Sequence, residues 1–277
     1  MSTTQENGAT TGVGDNFTST AKDYDAVVRH NINGAARLVA ALPAGQYDRV
    51  LDVGCGTGWS ALAMFERFAC KELTGVDPAA GMLEVFRAKA DELDGVNVDL
   101  LAEDVMNMSV QPGTYDAVIS SMAMHWFPDK AGATVKMAEA LRPGGVLAIL
   151  CSGRGGEQAF RDVLATLTNP PAPANWDAAF DAVQRDVDEM EEYIVGAGLE
   201  PIDIWMERRL RRTDPAAYLE RMRVVASHIT ADSLDEAGVA SLMEQLEAAM
   251  RVASGPRGFE YHFTKLYALA RKPESAV

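Results

Sequence analysis

The nine residues from Val50 to Gly58 constrain the fold of this chain more than any other part of its sequence. They read Val-Leu-Asp-Val-Gly-Cys-Gly-Thr-Gly, so an apolar run broken by one acid, Asp52, leads into three glycines at alternate positions. The apolar run predicts a buried parallel strand, and the glycines predict a tight turn into a helix-like segment that starts at Trp59. Glycine permits a positive φ and lets a ligand lie against the main chain, where the amides of a helix start face it. The segment therefore predicts a ligand site between a strand and a helix.

The spacing of these glycines distinguishes between two classes of ligand. A dinucleotide site needs a third glycine at position 59, for close packing of helix on strand, and this chain has Trp59 there. Asp52 would repel the phosphates of a dinucleotide, whereas it suits a cation. Together, Asp52, Gly54, Gly56 and Gly58 resemble the acid-x-Gly-x-Gly-x-Gly motif of class I methyltransferases that depend on S-adenosylmethionine (SAM). SAM carries an ammonium and a sulfonium group, and the resemblance implies that it is the cofactor.

Later segments repeat the resemblance in the order that this class requires. Each predicts a strand, and they are Glu72–Asp77, Val96–Leu101, Tyr115–Ser121 and Leu141–Leu150. Their alternation with helix-like segments implies βαβ units in a parallel sheet. The resemblance covers residues 45–151 and returns at a closing strand, Phe259–Arg271. The expected fold class is α/β, a Rossmann-like sheet of seven mostly parallel strands with helices on both faces, plus an N-terminal helical flap and helical cap inserts.

The resemblance also implies which residues contact the cofactor. Asp77 ends the second strand, where the matching acid of the family accepts hydrogen bonds from both ribose hydroxyls. Asp104 matches the acid that takes the adenine amino group, and the backbone of Val105 meets the ring. The remaining positions expected to bind SAM are Asp52, Gly54, Cys55, Gly56, Gly58, Pro78, Met82 and Ser120.

The chain is expected to divide into four parts. Residues 1–16 are polar and predict a disordered tail, and residues 17–44 resemble the helical flap that closes over SAM in related enzymes. In that flap Tyr24 and Arg29 are candidates to cover the methionine end, the alternative being a surface helix with one aromatic packed on the core. Residues 45–151 form the SAM-binding core. Residues 152–277 hold the remaining strands, with helical inserts at 152–200 and 212–257 that either cap the substrate side or pack peripherally.

The segment after the fourth strand is the best candidate for binding the methyl acceptor. It contains Met124, His125 and Trp126, and it resembles malonyl-carrier-protein O-methyltransferases and trans-aconitate methyltransferases, which methylate carboxylates. Those enzymes often have Gln-Trp where this chain has His125-Trp126. His125 is the candidate general base because histidine titrates near neutral pH. The alternative is a histidine that holds the loop by hydrogen bonds, with Met124 and Trp126 packing the loop.

Composition narrows the range of partners. The 277 residues carry a formal net charge of −15, which argues against nucleic acid and anionic membranes. The three cysteines, Cys55, Cys70 and Cys151, form no metal or disulfide pattern. There is no long apolar run and no signal-like start, so the expected location is cytoplasmic, and the oligomeric state stays open.

Three functional readings follow. The first is a methyltransferase that moves the methyl group of SAM to a small-molecule acceptor, with carboxylate or hydroxyl oxygen favoured and S-adenosylhomocysteine (SAH) as product. The second is an NAD-dependent Rossmann oxidoreductase. The third is a protein that binds SAM without turnover and serves as a partner.

Overall fold

The computed structural model of the protein describes residues 17–18, 21, 24–25, 29–167, 176–225 and 236–274, with the backbone alone at 29–31, 176–179, 223–225 and 236. Within these residues the chain forms two compact units. The first draws on Met1–Cys151, Asp186–Trp205 and Leu266–Val277, and the second on Ser152–Arg185 and Met206–Lys265. The tail expected at residues 1–16 lies outside the described part of the chain.

The described residues form seven strands and nine α-helices, numbered in chain order. The strands are β1 Arg49–Val53, β2 Glu72–Val76, β3 Asn97–Leu101, β4 Tyr115–Ser121, β5 Leu141–Ser152, β6 Glu200–Thr213 and β7 Phe259–Arg271. The helices are α1 Arg29–Ala40, α2 Trp59–Arg67, α3 Ala80–Ala90, α4 Lys130–Ala140, α5 Gln158–Leu164, α6 Trp176–Val183, α7 Val187–Gly196, α8 Pro215–Val225 and α9 Glu236–Ala253. A 3₁₀ turn covers Met124–Trp126.

The strands form one sheet in the order β3-β2-β1-β4-β5-β7-β6. Parallel pairing joins β1 to β2 and β4, β2 to β3, and β4 to β5. The strand order reverses on the two sides of β1, so β1 and β4 bound the crevice where ligands bind in open α/β sheets. The predicted Rossmann-like sheet of seven strands is confirmed.

Both faces of the sheet are buried at its central strands. Alternate residues of β5 belong to two separate hydrophobic clusters, Leu147 and Ile149 to one and Ala148 and Leu150 to the other. This follows from the two-residue period of a strand. Side chains of α4 and α7 complete the first cluster, and side chains of α1, α2 and α3 complete the second. Helices cover both faces, which explains why the strands read as continuous apolar runs.

Several boundaries differ from those expected. Helix α7, which the sequence analysis assigned to the insert at 152–200, belongs to the first unit, because Met190 and Ile194 are fully buried in its core. The described residues among 17–25 and those of α1 from Arg29 are all helical, in keeping with the helix expected from Phe17, and the residues between them lie outside the described part of the chain. Strand β6 runs to Thr213, into the range 212–257 expected to be a helical insert, and lies at the edge of the sheet, a position that tolerates charged side chains.

The second unit has its own core. Helices α5, α6, α8 and α9 pack around aromatic residues that include Phe160, Tyr218 and Phe259. Inside it the carboxylate of Glu157 accepts hydrogen bonds from the Tyr218 hydroxyl at 2.5 Å and from Arg221 at 3.1 Å. The helical content expected of the inserts is therefore present, and a capping role for them stays a prediction. No described helix is long and apolar enough to cross a membrane.

Candidate cofactor pocket

A cavity of about 1080 Å³, its open mouth included, lies in the first unit at the carboxyl ends of β1, β2, β3 and β4. Ligands of open α/β sheets bind at this edge of the sheet. Its walls are mainly apolar and aromatic. Of the residues expected to bind ligands, those that line it are Tyr24, Gly54, Cys55, Gly56, Asp77, Pro78, Met82, Asp104, Val105 and Trp126.

The three glycines of the turn after β1 have different roles. All three have positive φ, at 69° for Gly54, 52° for Gly56 and 89° for Gly58. A Cβ on Gly56 would meet nothing within 4 Å, because it would point into the cavity. A Cβ on Gly54 would lie 2.2 Å from that of Ala123, and one on Gly58 would lie 2.3 Å from the ring of Phe86. Gly58, expected at the cofactor, does not line the cavity, because its place is against this buried ring.

Asp77 ties the glycine turn to the end of β2. Its carboxylate accepts hydrogen bonds from the Gly56 amide and the Ala79 amide, each at 2.9 Å. Burial raises the pKa of Asp77, and these two amides oppose that rise. Each carboxylate oxygen has a second lone pair, so Asp77 can still accept hydrogen bonds from a ligand in the cavity. The geometry suits the pair of ribose hydroxyls expected there.

Asp52 is fully buried in β1 and does not line the cavity. Among the described residues, no donor meets either of its oxygens with hydrogen-bond geometry. Burial raises the pKa of Asp52 to about 7, the Ser60 hydroxyl lowers it in part, and the charge of Asp77 raises it further. An ionised carboxylate in such a place costs several kcal/mol unless a cation compensates it. Ser60 does line the cavity, so Asp52 lies close behind the wall.

The acids after β3 are engaged by their own loop. Asp104 accepts hydrogen bonds from the Met106 amide at 2.8 Å and from the Asn107 side chain at 2.9 Å. Glu103, which the sequence analysis did not single out, also lines the cavity and accepts from the amide and hydroxyl of Ser109. The adenine contact expected of Asp104 therefore has to use its remaining lone pairs, and it stays a prediction.

The segment after β4 meets the expectations only in part. Trp126 lines the cavity, but Met124 is fully buried in the core and the hydroxyl of Ser120 donates to the Val53 carbonyl at 2.9 Å. His125 is half-buried beside Trp126, with ring centroids 4.9 Å apart, and it is not among the lining residues. Met122 lines the cavity with a φ of 57°, a strained value for a non-glycine residue. In a 3₁₀ turn neighbouring side chains point in different directions, which separates Trp126 from Met124 and His125.

The N-terminal segment contributes two aromatic rings. The rings of Tyr24 and Phe17 line the cavity in edge-to-face contact, with centroids 5.9 Å apart. The ring of Phe17 also makes an edge-to-face contact with that of Trp126, with centroids 5.3 Å apart. Burial raises the pKa of Tyr24 far above its usual range, and the charges of Asp77 and Asp25 add to this, so the phenol stays neutral. The side chain of Arg29 lies outside the described part of the structure, and its expected contact stays a prediction.

Several lining residues escaped the sequence analysis. Thr57 and Trp59 were considered only as spacers in the glycine motif, although both line the cavity. Phe17 and Phe127 also line the cavity, and they belong to segments that were expected at the site, the N-terminal flap and the loop after β4. Cys55 also lines the cavity, and burial raises the pKa of its thiol well above the usual range.

The fold is that of class I SAM-dependent methyltransferases, as its strand order, the glycine turn after β1 and the acid after β2 indicate. Residues 50–145 of the chain match a family described as a methyltransferase domain.

Named relatives are similar over different lengths. The malonyl-[acyl-carrier protein] O-methyltransferase of Acetivibrio thermocellus is 33% identical over 139 residues, which are 50% of this chain and 48% of the relative. The trans-aconitate 2-methyltransferase of Methylobacterium nodulans is 27% identical over 244 residues, 86% of this chain and 92% of the relative. The chain therefore spans about half the length of the first relative and nearly all of the second.

A solved structure supports the fold. Phosphoethanolamine N-methyltransferase 2 of Haemonchus contortus, solved with SAH, superposes with a TM-score of 0.56 at 18% identity. The match covers 93% of this chain and 58% of that one. At this identity the likeness concerns the fold alone.

Proposed function

We propose that the protein transfers the methyl group of SAM to an oxygen atom of a small molecule, with a carboxylate as the favoured acceptor. The observation that carries the SAM site is Asp52, a buried carboxylate close to the cavity whose oxygens meet no donor of the described residues with good hydrogen-bond geometry, so that the nearby Ser60 hydroxyl and Ala61 amide offset its burial only in part. A buried acid of this kind becomes stable when a cation binds nearby. The ammonium and sulfonium groups of SAM supply that charge.

The chain's own residues divide the work of holding SAM. Gly56 leaves room for the cofactor against the main chain, and Asp77 accepts hydrogen bonds from its ribose. Tyr24 and Trp126 enclose the cavity with apolar surface and so exclude water. When bound, SAM supplies a methyl group on a positively charged sulfur, ready for in-line displacement. The protein contributes mainly by alignment, which is worth up to about 7–11 kcal/mol in ideal cases.

One observation supports an acidic acceptor. The relatives are named for malonyl-carrier protein and trans-aconitate, both of which contain carboxyl groups.

We expect SAM binding to release a proton from Asp52. In the folded protein the pKa of Asp52 is about 7, above the value of 3.8 for an ordinary aspartate. Protonated Asp52 therefore stabilises the folded protein at low pH, and this contribution is lost as pH rises through about 7. Bound SAM lowers that pKa. SAM affinity should therefore rise up to about tenfold per pH unit between pH 5 and 7 and level off above.

Calorimetry in two buffers with different ionisation heats measures the released proton directly. Asp52→Asn should bind SAM more weakly and without proton release, while Asp48→Asn, at a partly exposed acid of the same unit, should behave as wild type. Binding that is independent of pH in the wild-type protein would contradict the assignment of Asp52 to the cofactor's charge.

The acceptor is tested by following SAH formation with a panel of small mono-, di- and tricarboxylates and matched alcohols. A carboxylate is already ionised and needs no base, so His125→Gln should keep most of its activity at every pH. A hydroxyl acceptor with His125 as base predicts a rate that rises through a pKa near 6–7 and that His125→Gln loses. Robust methylation of tRNA or DNA, with none of the panel, would contradict the small-molecule proposal.

A further inference from the structure

Asp25, in the N-terminal segment, contacts two helices of the first unit at once. Its Oδ1 accepts hydrogen bonds from the Thr57 hydroxyl at 2.6 Å and from the Trp59 indole N–H at 2.9 Å. Its Oδ2 accepts from the Lys89 ammonium at 2.6 Å. Lys89 also donates to the Thr57 carbonyl at 2.8 Å and lies 4.2 Å from the Trp59 ring centroid. We call these contacts of Asp25, Thr57, Trp59 and Lys89 the Asp25 anchor.

The anchor is stronger than an ordinary surface ion pair. The side chains of Lys89 and Asp25 are only 23% and 27% exposed, so water screens them weakly. Burial alone would raise the pKa of Asp25, but the hydrogen bonds from Lys89, Thr57 and Trp59 outweigh it and lower the pKa. Asp25 is therefore a charged acceptor at neutral pH, and charged hydrogen bonds are about twice as strong as neutral ones.

The anchor adjoins the cavity both in the N-terminal segment and in the glycine turn. Asp25 directly follows Tyr24, whose ring lines the cavity, and Thr57 lines the cavity from the glycine turn. The segment has a second close contact at Gly81, where an added Cβ would lie 2.6 Å from the Thr18 carbonyl oxygen. These contacts hold Tyr24 and Phe17 in the wall of the cavity, so the two rings limit the space open to a bound molecule on that side while both attachments hold.

We propose that Asp25 is a positioning residue, which holds Tyr24 against the bound cofactor and so sets the rate at which the cofactor leaves. The inference rests on the proposed function in one respect, that SAM and SAH occupy the cavity. Its physical reason is that Asp25 and Lys89 do not line the cavity themselves, and yet their contact must break before the Tyr24 wall can move away. Changes of this kind appear mainly in the dissociation rate, because association depends on diffusion and orientation.

The test compares two ion pairs of the same unit. Asp25→Ala and Lys89→Met each remove the anchor, and Asp48→Ala and Lys71→Met remove an exposed pair that is 2.8 Å apart. We expect SAH to dissociate at least about tenfold faster from the first two variants, by stopped-flow fluorescence, with association changed less than about threefold. The two control variants should stay within about twofold of wild type.

A second measurement needs no cofactor. Hydrogen–deuterium exchange of the peptide that contains Tyr24 should be faster in Asp25→Ala than in wild type, and unchanged in Asp48→Ala. If Asp25→Ala does not fold, Trp59→Phe removes the indole N–H donor, keeps a smaller aromatic ring, and should show a smaller increase in the same direction.

The outcomes separate the two proposals. Unchanged exchange around Tyr24 overturns the anchor, whether or not SAH binds. Faster exchange with an unchanged SAH dissociation rate overturns the role of Asp25 in cofactor release. A wild-type protein that binds no SAH contradicts the proposed function and with it the release role, while the exchange measurement still decides whether Asp25 anchors the segment.

Discussion

Gly58→Ala is expected to destabilise the protein by about 3–5 kcal/mol, a large part of the free energy of unfolding of an ordinary domain. The new Cβ would lie 2.3 Å from Cδ2 and 2.5 Å from Cε2 of Phe86, a ring with no solvent exposure. The backbone at φ 89° adds the strain of a left-handed conformation. Thermal and urea unfolding measure the loss.

Gly56→Ala is the matched control because it has a similar backbone and a different neighbourhood. Its φ is 52° and its added Cβ meets nothing within 4 Å, so only the strain of about 1–2 kcal/mol applies. It should stay folded and lose SAM affinity. Truncating the ring in the double variant Gly58→Ala, Phe86→Ala should cost less than the sum of the two single changes. Equal destabilisation by Gly56→Ala and Gly58→Ala would contradict the packing role.

Asp77→Ala is expected to weaken SAM binding about ten- to a hundredfold, because charged hydrogen bonds to the ribose hydroxyls are worth about 1.5–3 kcal/mol. The carboxylate also accepts from the amides of Gly56 and Ala79, so part of any loss can come from the turn itself. A ligand-side control separates the two causes. Wild type should bind SAH more tightly than its 2′,3′-dideoxy analogue, and Asp77→Ala should bind both alike.

The double comparison makes the result decisive. If removing the two ribose hydroxyls from SAH weakens binding to Asp77→Ala as much as it weakens binding to wild type, another residue binds the ribose. Circular dichroism and thermal unfolding of the variant without ligand show whether the glycine turn has survived the substitution. A loss of affinity below about threefold for SAH would also remove Asp77 from this role.

The sequence was sufficient to predict the sheet because each strand carries its own signal. The apolar run at Val50 and the glycines after it predict a buried strand followed by a tight turn. Similar apolar runs recur along the chain at the spacing of βαβ units. The role of a single residue was harder to predict when a distant partner decides it. Gly58 faces Phe86 and Ser120 faces Val53, and neither contact has a signature in the local sequence.

The same reason explains what was missed at the cavity. Trp59 looked like evidence against a dinucleotide and nothing more, because its partner Asp25 lies far away along the chain. Met124 and Trp126 both looked suited to a pocket wall, and only the geometry of the turn shows that one is in the core. Local patterns determine elements, while the contacts between elements determine which side chain reaches the ligand.

The thiols have a practical consequence. Cys55, Cys70 and Cys151 are all buried thiols that form no disulfide, and burial raises the pKa of the first two above the usual value for a thiol. Alkylating agents and peroxide react with the thiolate, which these side chains rarely form. The folded protein should therefore tolerate storage without a reducing agent, and any labelling of Cys55 by a maleimide would report that the cavity wall has opened.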